Sequence, residues 1–307
     1  MKALVTGGAG FIGSHLVRRL VAEGNPVTVV DDLSTGRREN LAGCEIALVT
    51  RDLSREPLED LVKSVDVIFH LAAVPSVPRS VKEPLRSHEA AATATLRLLE
   101  AARVAGVRTF VNSSSSSVYG NVARPPMTET MPTLPRSPYA VAKLAAEGYT
   151  RVFASLHGMR TVSLRYFNVF GPRQDPTSAY AAALPLFVTA YLRRERPKVY
   201  DDGRQSRDFT HVANVVEANI LAARAPALAG ESVNIAAGEP RSVLGVLHAI
   251  AEVFGYELEP EFLPARAGDI RDSHADISLA RKLLRYAPVT GFSEGLKETI
   301  GWLRDKA

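Results

Sequence analysis

The stretch Ala3-Leu4-Val5-Thr6-Gly7-Gly8-Ala9-Gly10-Phe11-Ile12-Gly13 decides the fold. A short apolar run of strand character enters a glycine-rich turn, and an amphipathic segment from Gly13 to Glu23 leaves it. Within Gly8-Ala9-Gly10-Phe11-Ile12-Gly13 one glycine permits the tight turn and another lets the backbone approach a pyrophosphate. The third lets the helix lie close against the sheet. The free N–H groups and partial positive charge of the helix N-terminus then face the anion. The next strand, Val27-Thr28-Val29-Val30, runs into Asp31, 18 residues beyond Gly13. A carboxylate at that spacing suits the 2′-hydroxyl of an adenosine ribose and repels a 2′-phosphate. The pattern predicts NAD rather than NADP, with Arg37 and Arg38 as the features that pull the other way.

The alternation continues outward. Ile46 to Val49 reads as a third strand, Val65 to Leu71 as a buried run, Pro84 to Ala105 as a helix and Thr109 to Asn112 as a strand. Ser137 to His157 is again helical and Thr161 to Arg165 again a strand. Repeated βαβ units predict an α/β, Rossmann-type, doubly wound parallel sheet with helices on both faces. After Gly171-Pro172 the rhythm breaks: Pro176, Pro185, Pro197 and a turn at Asp202-Gly203 interrupt 172–210, and Pro260, Pro264 and Gly268 interrupt 256–275. Between them Val212 to Arg224 reads as a helix and Ser232 to Ile235 as a strand free to rejoin the sheet. The expected organisation is an NAD-binding domain over 1–171, completed by 212–240, with a smaller discontinuous C-terminal substrate lobe from 172–211 and 241–307.

Composition narrows the class. The 307 residues, 46% hydrophobic and 23% charged, suit a soluble chain with a sizeable core. The 37 basic and 33 acidic residues are spread along it, and Arg193-Arg194-Glu195-Arg196 reads as a solvated helix end, so no nucleic acid is expected as a partner. Cys44 is the only cysteine, which excludes an intrachain disulfide and a multi-cysteine metal site and fits a reducing compartment. With no signal-peptide core and no run of ~18 apolar residues, the expectation is a cytoplasmic protein with no membrane partner. His70 and His211 read as packed or hydrogen-bonded residues, since neither has a second ligand at zinc spacing, and no metal is expected.

Tyr139 and Lys143 lie four apart on a predicted helix and so share a face. A tyrosine normally loses its proton near pH ~10. A neighbouring ammonium and the positive nicotinamide of NAD⁺ both favour the phenolate and would turn Tyr139 into a usable base.

With the glycine loop, these residues complete a pattern that resembles the extended short-chain dehydrogenase/reductase family, and within it the nucleotide-sugar 4-epimerases. The likeness covers nearly the whole chain. It rests on Thr6 to Gly13, Asp31-Asp32-Leu33-Ser34-Thr35-Gly36, His70-Leu71-Ala72-Ala73, Ser113 to Gly120, Ser137-Pro138-Tyr139-Ala140-Val141-Ala142-Lys143, Arg165 to Gly171, Ser206 to Val212 and Arg266-Ala267-Gly268-Asp269. The resemblance implies that Tyr139 is the general base, that Lys143 tunes it and bonds the nicotinamide ribose, and that Ser115 shares the proton network of the sugar O4. Gly7, Gly10, Phe11, Ile12, Gly13, Asp31, Asp32, Ser34, Thr35 and Gly36 would hold the cofactor. Asp52 and Leu53 at the adenine, the groove residues Leu71, Ala72 and Ala73, Ser113, and Tyr166 beside the nicotinamide would complete that set. On the substrate side it implies Ser76, Pro78 and Arg79, then Asn168, Arg207 and Arg266 on the UDP phosphates, Tyr200 near the uracil and Asp269 on its ribose. Paired guanidinium donors match phosphate oxygens.

One position departs from the family. The Asn of a common Asn-x-x-Gly-Thr stretch is replaced by Ala91 in Ala91-Ala92-Thr93-Ala94-Thr95, which puts the local active-site backbone in question. Relatives that dehydrate or decarboxylate carry Asp-Glu or Glu just before Val-Tyr-Gly. Ser116 and Ser117 stand there, and neither is an acid of useful strength. The implied reaction is NAD-dependent C4 epimerisation of a UDP-sugar, with UDP-glucuronate epimerase, dehydratase or reductase as the alternative. Ser76-Val77-Pro78-Arg79-Ser80, Ala179-Tyr180-Ala181-Ala182 and Gly268 to Ser273 resemble epimerases that accept N-acetylhexosamines, because a small side chain at Ser273 leaves room for a 2-acetamido group. The family also implies a homodimer paired through the helices Pro84–Ala105 and Ser137–His157. Leu96, Leu98 and Leu99 either supply apolar mass to that face or turn toward the sheet.

Overall fold

A computed structural model describes residues 1–121, 124–176, 183–265 and 271–306. Along the chain come β1 (Ala3–Thr6), α1 (Phe11–Ala22), β2 (Val27–Asp31), β3 (Ala47–Thr50) and β4 (Val67–His70). Then follow α2 (Val77–Lys82), α3 (Pro84–His88), α4 (Ala94–Ala105), β5 (Thr109–Ser115), α5 (Pro138–His157) and β6 (Arg160–Tyr166). The remaining elements are β7 (Val169–Phe170), α6 (Ala183–Arg193), β8 (Lys198–Tyr200), β9 (Ser206–Asp208), β10 (Thr210–His211), α7 (Val212–Arg224) and β11 (Glu231–Ile235), then β12 (Pro240–Ser242), α8 (Val243–Phe254), β13 (Glu261–Leu263), β14 (Asp272–Ser273), α9 (Ser278–Leu284) and α10 (Phe292–Arg304).

Seven strands form one sheet in the order β11-β6-β5-β4-β1-β2-β3, with each neighbouring pair parallel. The chain starts in the middle, winds out to β3, then crosses back to β4, which makes the gap beyond β1 and β4 the switch point where ligands bind in such sheets. Every residue of β1 and β4 is buried because helices cover both faces, so these strands read as continuous apolar runs. Leu4, Ile68 and Phe110 point with Leu98, Leu99 and Phe153 into the core under α4 and α5. Val5, Phe69 and Val111 point the other way with Leu16, Val17 and Val215 under α1 and α7. This is the period of two expected of strands.

The helix read as continuous from Pro84 to Ala105 is interrupted by a π turn at Glu89–Thr93, which contains Ala91. Leu98 and Leu99 are fully buried and serve the sheet, whereas Leu96 is half-buried at the edge of the same cluster. The boundaries of α5 follow from its ends. Ser137 accepts the Ala140 N–H as N-cap at 3.2 Å, Pro138 fits the first turn, and Gly158 stops the helix at φ 65°.

β11 does rejoin the sheet, pairing with β6 from Glu231↔Val162 to Ile235↔Tyr166. A second apolar cluster lies apart from the sheet, where α6, α8 and α10 bring together Phe187, Tyr191, Val246, Ile250, Leu296 and Ile300. The sequence predicts a smaller lobe here but marks none of these three helices. α9 goes the other way: Ile277, Ala280 and Leu284 pack into the core of the sheet, although they lie late in the chain. Among the described residues no helix is long and apolar enough to cross a membrane.

Candidate active site

Because the sheet is parallel, the loops after β1 to β6 all emerge at one edge. They carry in turn the glycine loop, Asp31, Asp52, Leu71 to Ala73, Ser113 to Ser117, and Tyr166 with Asn168. Gly7 sits at φ 67°, and a Cβ there would lie 2.7 Å from the Ala72 nitrogen; a Cβ at Gly13 would strike the Gly7 carbonyl oxygen. Only glycine permits this packing. α1 starts without a side-chain cap at Gly10. The N–H groups of its first turn, at Phe11, Ile12 and Gly13, have no intrahelical partner. An uncapped helix start in a loop too tight for side chains fits the pyrophosphate of NAD.

Asp31 does more than its position in the sequence reveals. Its carboxylate accepts the Ala9 and Leu33 N–H groups, each at 2.9 Å, and a Cβ at Gly36 would touch it. Asp31 therefore clamps the glycine loop and keeps one lone pair per oxygen for a ribose hydroxyl. Burial holds its pKa above the usual carboxylate range. Asp32 is bonded by the Ser34 N–H and hydroxyl (2.9 and 2.7 Å), and Asn40, which the sequence reading missed, donates to the Ala9 carbonyl at 2.8 Å. No sequence signal marks Asn40. Arg37 pairs with Asp175 at 2.7 Å and Arg38 reaches Thr50 at 2.9 Å. Both arginines thus have other anchors, which favours NAD. Asp52 is turned onto Ser54, and Leu53 is core.

Beyond the switch point, the buried His70 ring lies between Thr6 Oγ1 (2.7 Å) and Thr95 Oγ1 (3.0 Å). Thr95 gives its proton to the Ala91 carbonyl, so Nε2 of His70 carries the ring hydrogen. Burial lowers the pKa of His70 to about 3. The Asn missing at position 91 has no polar side chain in its place; Ala91 and Ala92 pack on Ala142 of α5 across the π turn. His211 is packed against Phe170 at 5.4 Å, and among the described residues no group of three metal-ligating side chains occurs.

Lys143 is buried and donates to the carbonyl and hydroxyl oxygens of Ser113 at 2.7 and 3.2 Å. Burial brings its pKa down to about 8, with Glu147 acting upward. Tyr139 is half-buried, and loss of water holds its pKa above the ordinary tyrosine value, opposed by a hydrogen bond with Ser115. The protein alone therefore does not make the phenol a neutral-pH base. Ser117 Oγ is shielded from water without a protein partner, as expected of a group facing a ligand. Tyr166 turns its hydroxyl away to Asn219 at 2.9 Å.

The residues read as substrate-facing are more scattered. Ser76 caps α2 by accepting the Arg79 N–H at 3.1 Å, with Pro78 in the first turn. Asn168 sits at φ 32° and bonds the Asp208 carbonyl at 3.3 Å. Arg207 lies on β9 directly beside Ser273 of β14, and Tyr200 ends β8. Arg266, Asp269 and Ala179-Tyr180-Ala181-Ala182 lie outside the described residues.

Fold and loop together define a dinucleotide-binding α/β protein. The NAD dependent epimerase/dehydratase family matches residues 3–236, and the chain belongs to it. A UDP-glucose 4-epimerase of Mycolicibacterium smegmatis is 41% identical over the full length of both chains. Among solved structures, a UDP-N-acetylglucosamine 4-epimerase from Methanobrevibacter ruminantium, in complex with UDP-N-acetylmuramic acid, superposes with TM-score 0.96 at 41% identity, over 100% of this chain and 99% of that one. The Thermotoga maritima UDP-glucose 4-epimerase with UDP-glucose gives 0.94 at 38%, with the same coverage.

Proposed function

We propose that the chain interconverts the C4 epimers of a UDP-hexose or UDP-N-acetylhexosamine, keeping NAD bound throughout. The observation that carries this reading is the convergence of Tyr139, Lys143 and Ser115 at the end of β5, with serines at 116 and 117 where an eliminating enzyme needs an acid. Tyr139 takes the O4 proton, and Ser115 hands it along the same hydrogen bond. Lys143 is held on Ser113, and its ammonium is assigned the role of favouring the phenolate of Tyr139 one helical turn away. NAD, held by the glycine loop and Asp31, would supply reversible hydride exchange at the sugar C4, while the chain's own residues handle the proton. Tyr139 then gives the proton back, so the cycle sums to no net oxidation. Asn168, Arg207 and Arg266 are assigned to the pyrophosphate, Tyr200 to the uracil and Asp269 to its ribose.

The test mixes the purified protein with UDP-glucose or UDP-GlcNAc, without added dinucleotide, and follows the C4 epimer by NMR. Epimer forms with at least one of them, and denaturation releases NAD in an amount matching the protein. Strict dependence on added NADP⁺, with accumulation of an oxidised sugar, would instead define a dehydrogenase.

The second copy expected of this family has a surface to meet. Val81, Leu85, Val141, Val152 and Leu156 are exposed on α2, α3 and α5, which pack together. We assign that face to a homodimer. Leu85→Arg with Leu156→Arg should convert a dimer to a monomer by sedimentation at micromolar concentration. A wild-type monomer would refute it.

A further inference from the structure

Three consecutive serines at the end of β5 each engage a different residue of one face of α5. Ser115 meets Tyr139, Ser113 takes the Lys143 ammonium, and Ser114 donates to Glu147 Oε1 at 2.5 Å. Tyr139, Lys143 and Glu147 are four apart and stack along the helix. Glu147 is 1% exposed, and its carboxylate has no acceptor site left unused: Ser114 and Arg165 Nε (2.9 Å) bond one oxygen, while an Arg165 terminal nitrogen (2.7 Å) and Ser232 (2.8 Å) bond the other. Arg165 gives its remaining terminal nitrogen to the Tyr119 hydroxyl at 2.9 Å, and Tyr119 donates to Asn234 at 2.7 Å. A buried ion pair is costly to desolvate and contributes little stability that apolar side chains would not supply. Its place directly beneath the Tyr139–Lys143 pair supplies a reason to keep it.

We propose that Glu147 is a positioning residue for that pair: its carboxylate pins the serine run at the strand end and supplies the negative charge that Lys143 faces one helical turn away. The role rests on the epimerase reading above. The ionisable groups around this face are Tyr139 and Lys143 on α5, His70 on β4, Arg165 and Tyr166 on β6, and Tyr119 after β5, with Glu129 acting on Tyr119 from the loop before α5. His70 stays neutral and Arg165 stays charged across the working range, while Tyr119 and Tyr166 are held protonated by burial. Of these groups, Lys143 has its pKa brought down by burial to about 8. Its ammonium is present below its pKa, so activity falls as pH rises through that value.

Glu147→Gln keeps the shape and deletes the charge, leaving Arg165 uncompensated nearby. Both changes disfavour the ammonium. The alkaline limb of the kcat–pH profile should move to lower pH by about 1 unit or more. Glu147→Asp keeps the charge but is too short to hold Ser114, so kcat falls while the limb stays in place. A limb that does not move in Glu147→Gln, or that moves equally in Glu147→Asp, overturns the role. If Glu147→Gln does not fold, Ser114→Ala decides: kcat should drop with KM for the UDP-sugar unchanged, and wild-type kcat overturns the role. The titration is also read without turnover, from the ε-carbon NMR resonance of Lys143 in NAD-loaded protein. An inactive wild type thus sinks the epimerase reading, and the resonance still tests Glu147.

Discussion

Tyr139→Phe should lower kcat for epimerisation by about 10²–10⁴, the usual contribution of a general acid–base group. The ring keeps its packing, and the lost hydroxyl has Ser115 as its hydrogen-bond partner in the protein. Far-UV circular dichroism and the amount of NAD carried through purification should therefore match the wild type. The sign of the pH effect is set by two groups. Burial alone raises Tyr139 above its ordinary value, so the phenolate depends on the Lys143 ammonium and on the positive charge of oxidised NAD. Activity should rise with pH until Tyr139 is ionised, then fall as Lys143 loses its proton, from a starting value of about 8 without ligands. Retention of most activity in Tyr139→Phe would move the base elsewhere, with Ser115 the first candidate.

Ser273→Tyr should lower kcat/KM for UDP-GalNAc by about 5- to 150-fold and leave UDP-galactose little changed. Overfilling a packed site costs ~1–3 kcal/mol, and each ~1.4 kcal/mol is tenfold. Ser273 is buried and paired with Arg207 across β14 and β9. The next residue is held from the other side, where the His274 carbonyl accepts the Met127 N–H at 2.9 Å. A segment pinned on both sides has little freedom to move aside for a phenol ring. The ratio of the two substrates is the quantity to measure, since a folding defect depresses both together. Equal losses on both sugars would mean that Ser273 does not line the space at C2.

The dinucleotide half of the molecule was legible because local chemistry dictates it. Gly7 and Gly13 tolerate no Cβ, and the β1 and β4 runs are apolar on both faces. The C-terminal helices were not legible, because α6, α8 and α10 bury their apolar faces against one another and against Phe170, Val199 and Phe209, partners distant in the chain. Pro185, read as an interruption, lies inside α6 near its start. Leu98 and Leu99 show the limit from the other direction. Their spacing marks an apolar face, but only the position of the sheet decides which way that face turns.

By itself the sequence determined the parallel sheet, the preference for NAD and the shared helix face of Tyr139 and Lys143, because each depends on residues close in the chain with fixed periodicity, whereas Ser115 rested on the family resemblance. Only the tertiary structure decided what surrounds them. Asp31 clamps the loop from 22 residues away, and Arg37 is drawn off to Asp175 across 138. Arg165 and Glu147 pair from neighbouring elements, and Ser232 joins them from β11, 85 residues beyond Glu147. Such partners carry no sequence signal, since a buried charge is satisfied by whatever donor the fold brings within hydrogen-bond reach, wherever that donor lies in the chain.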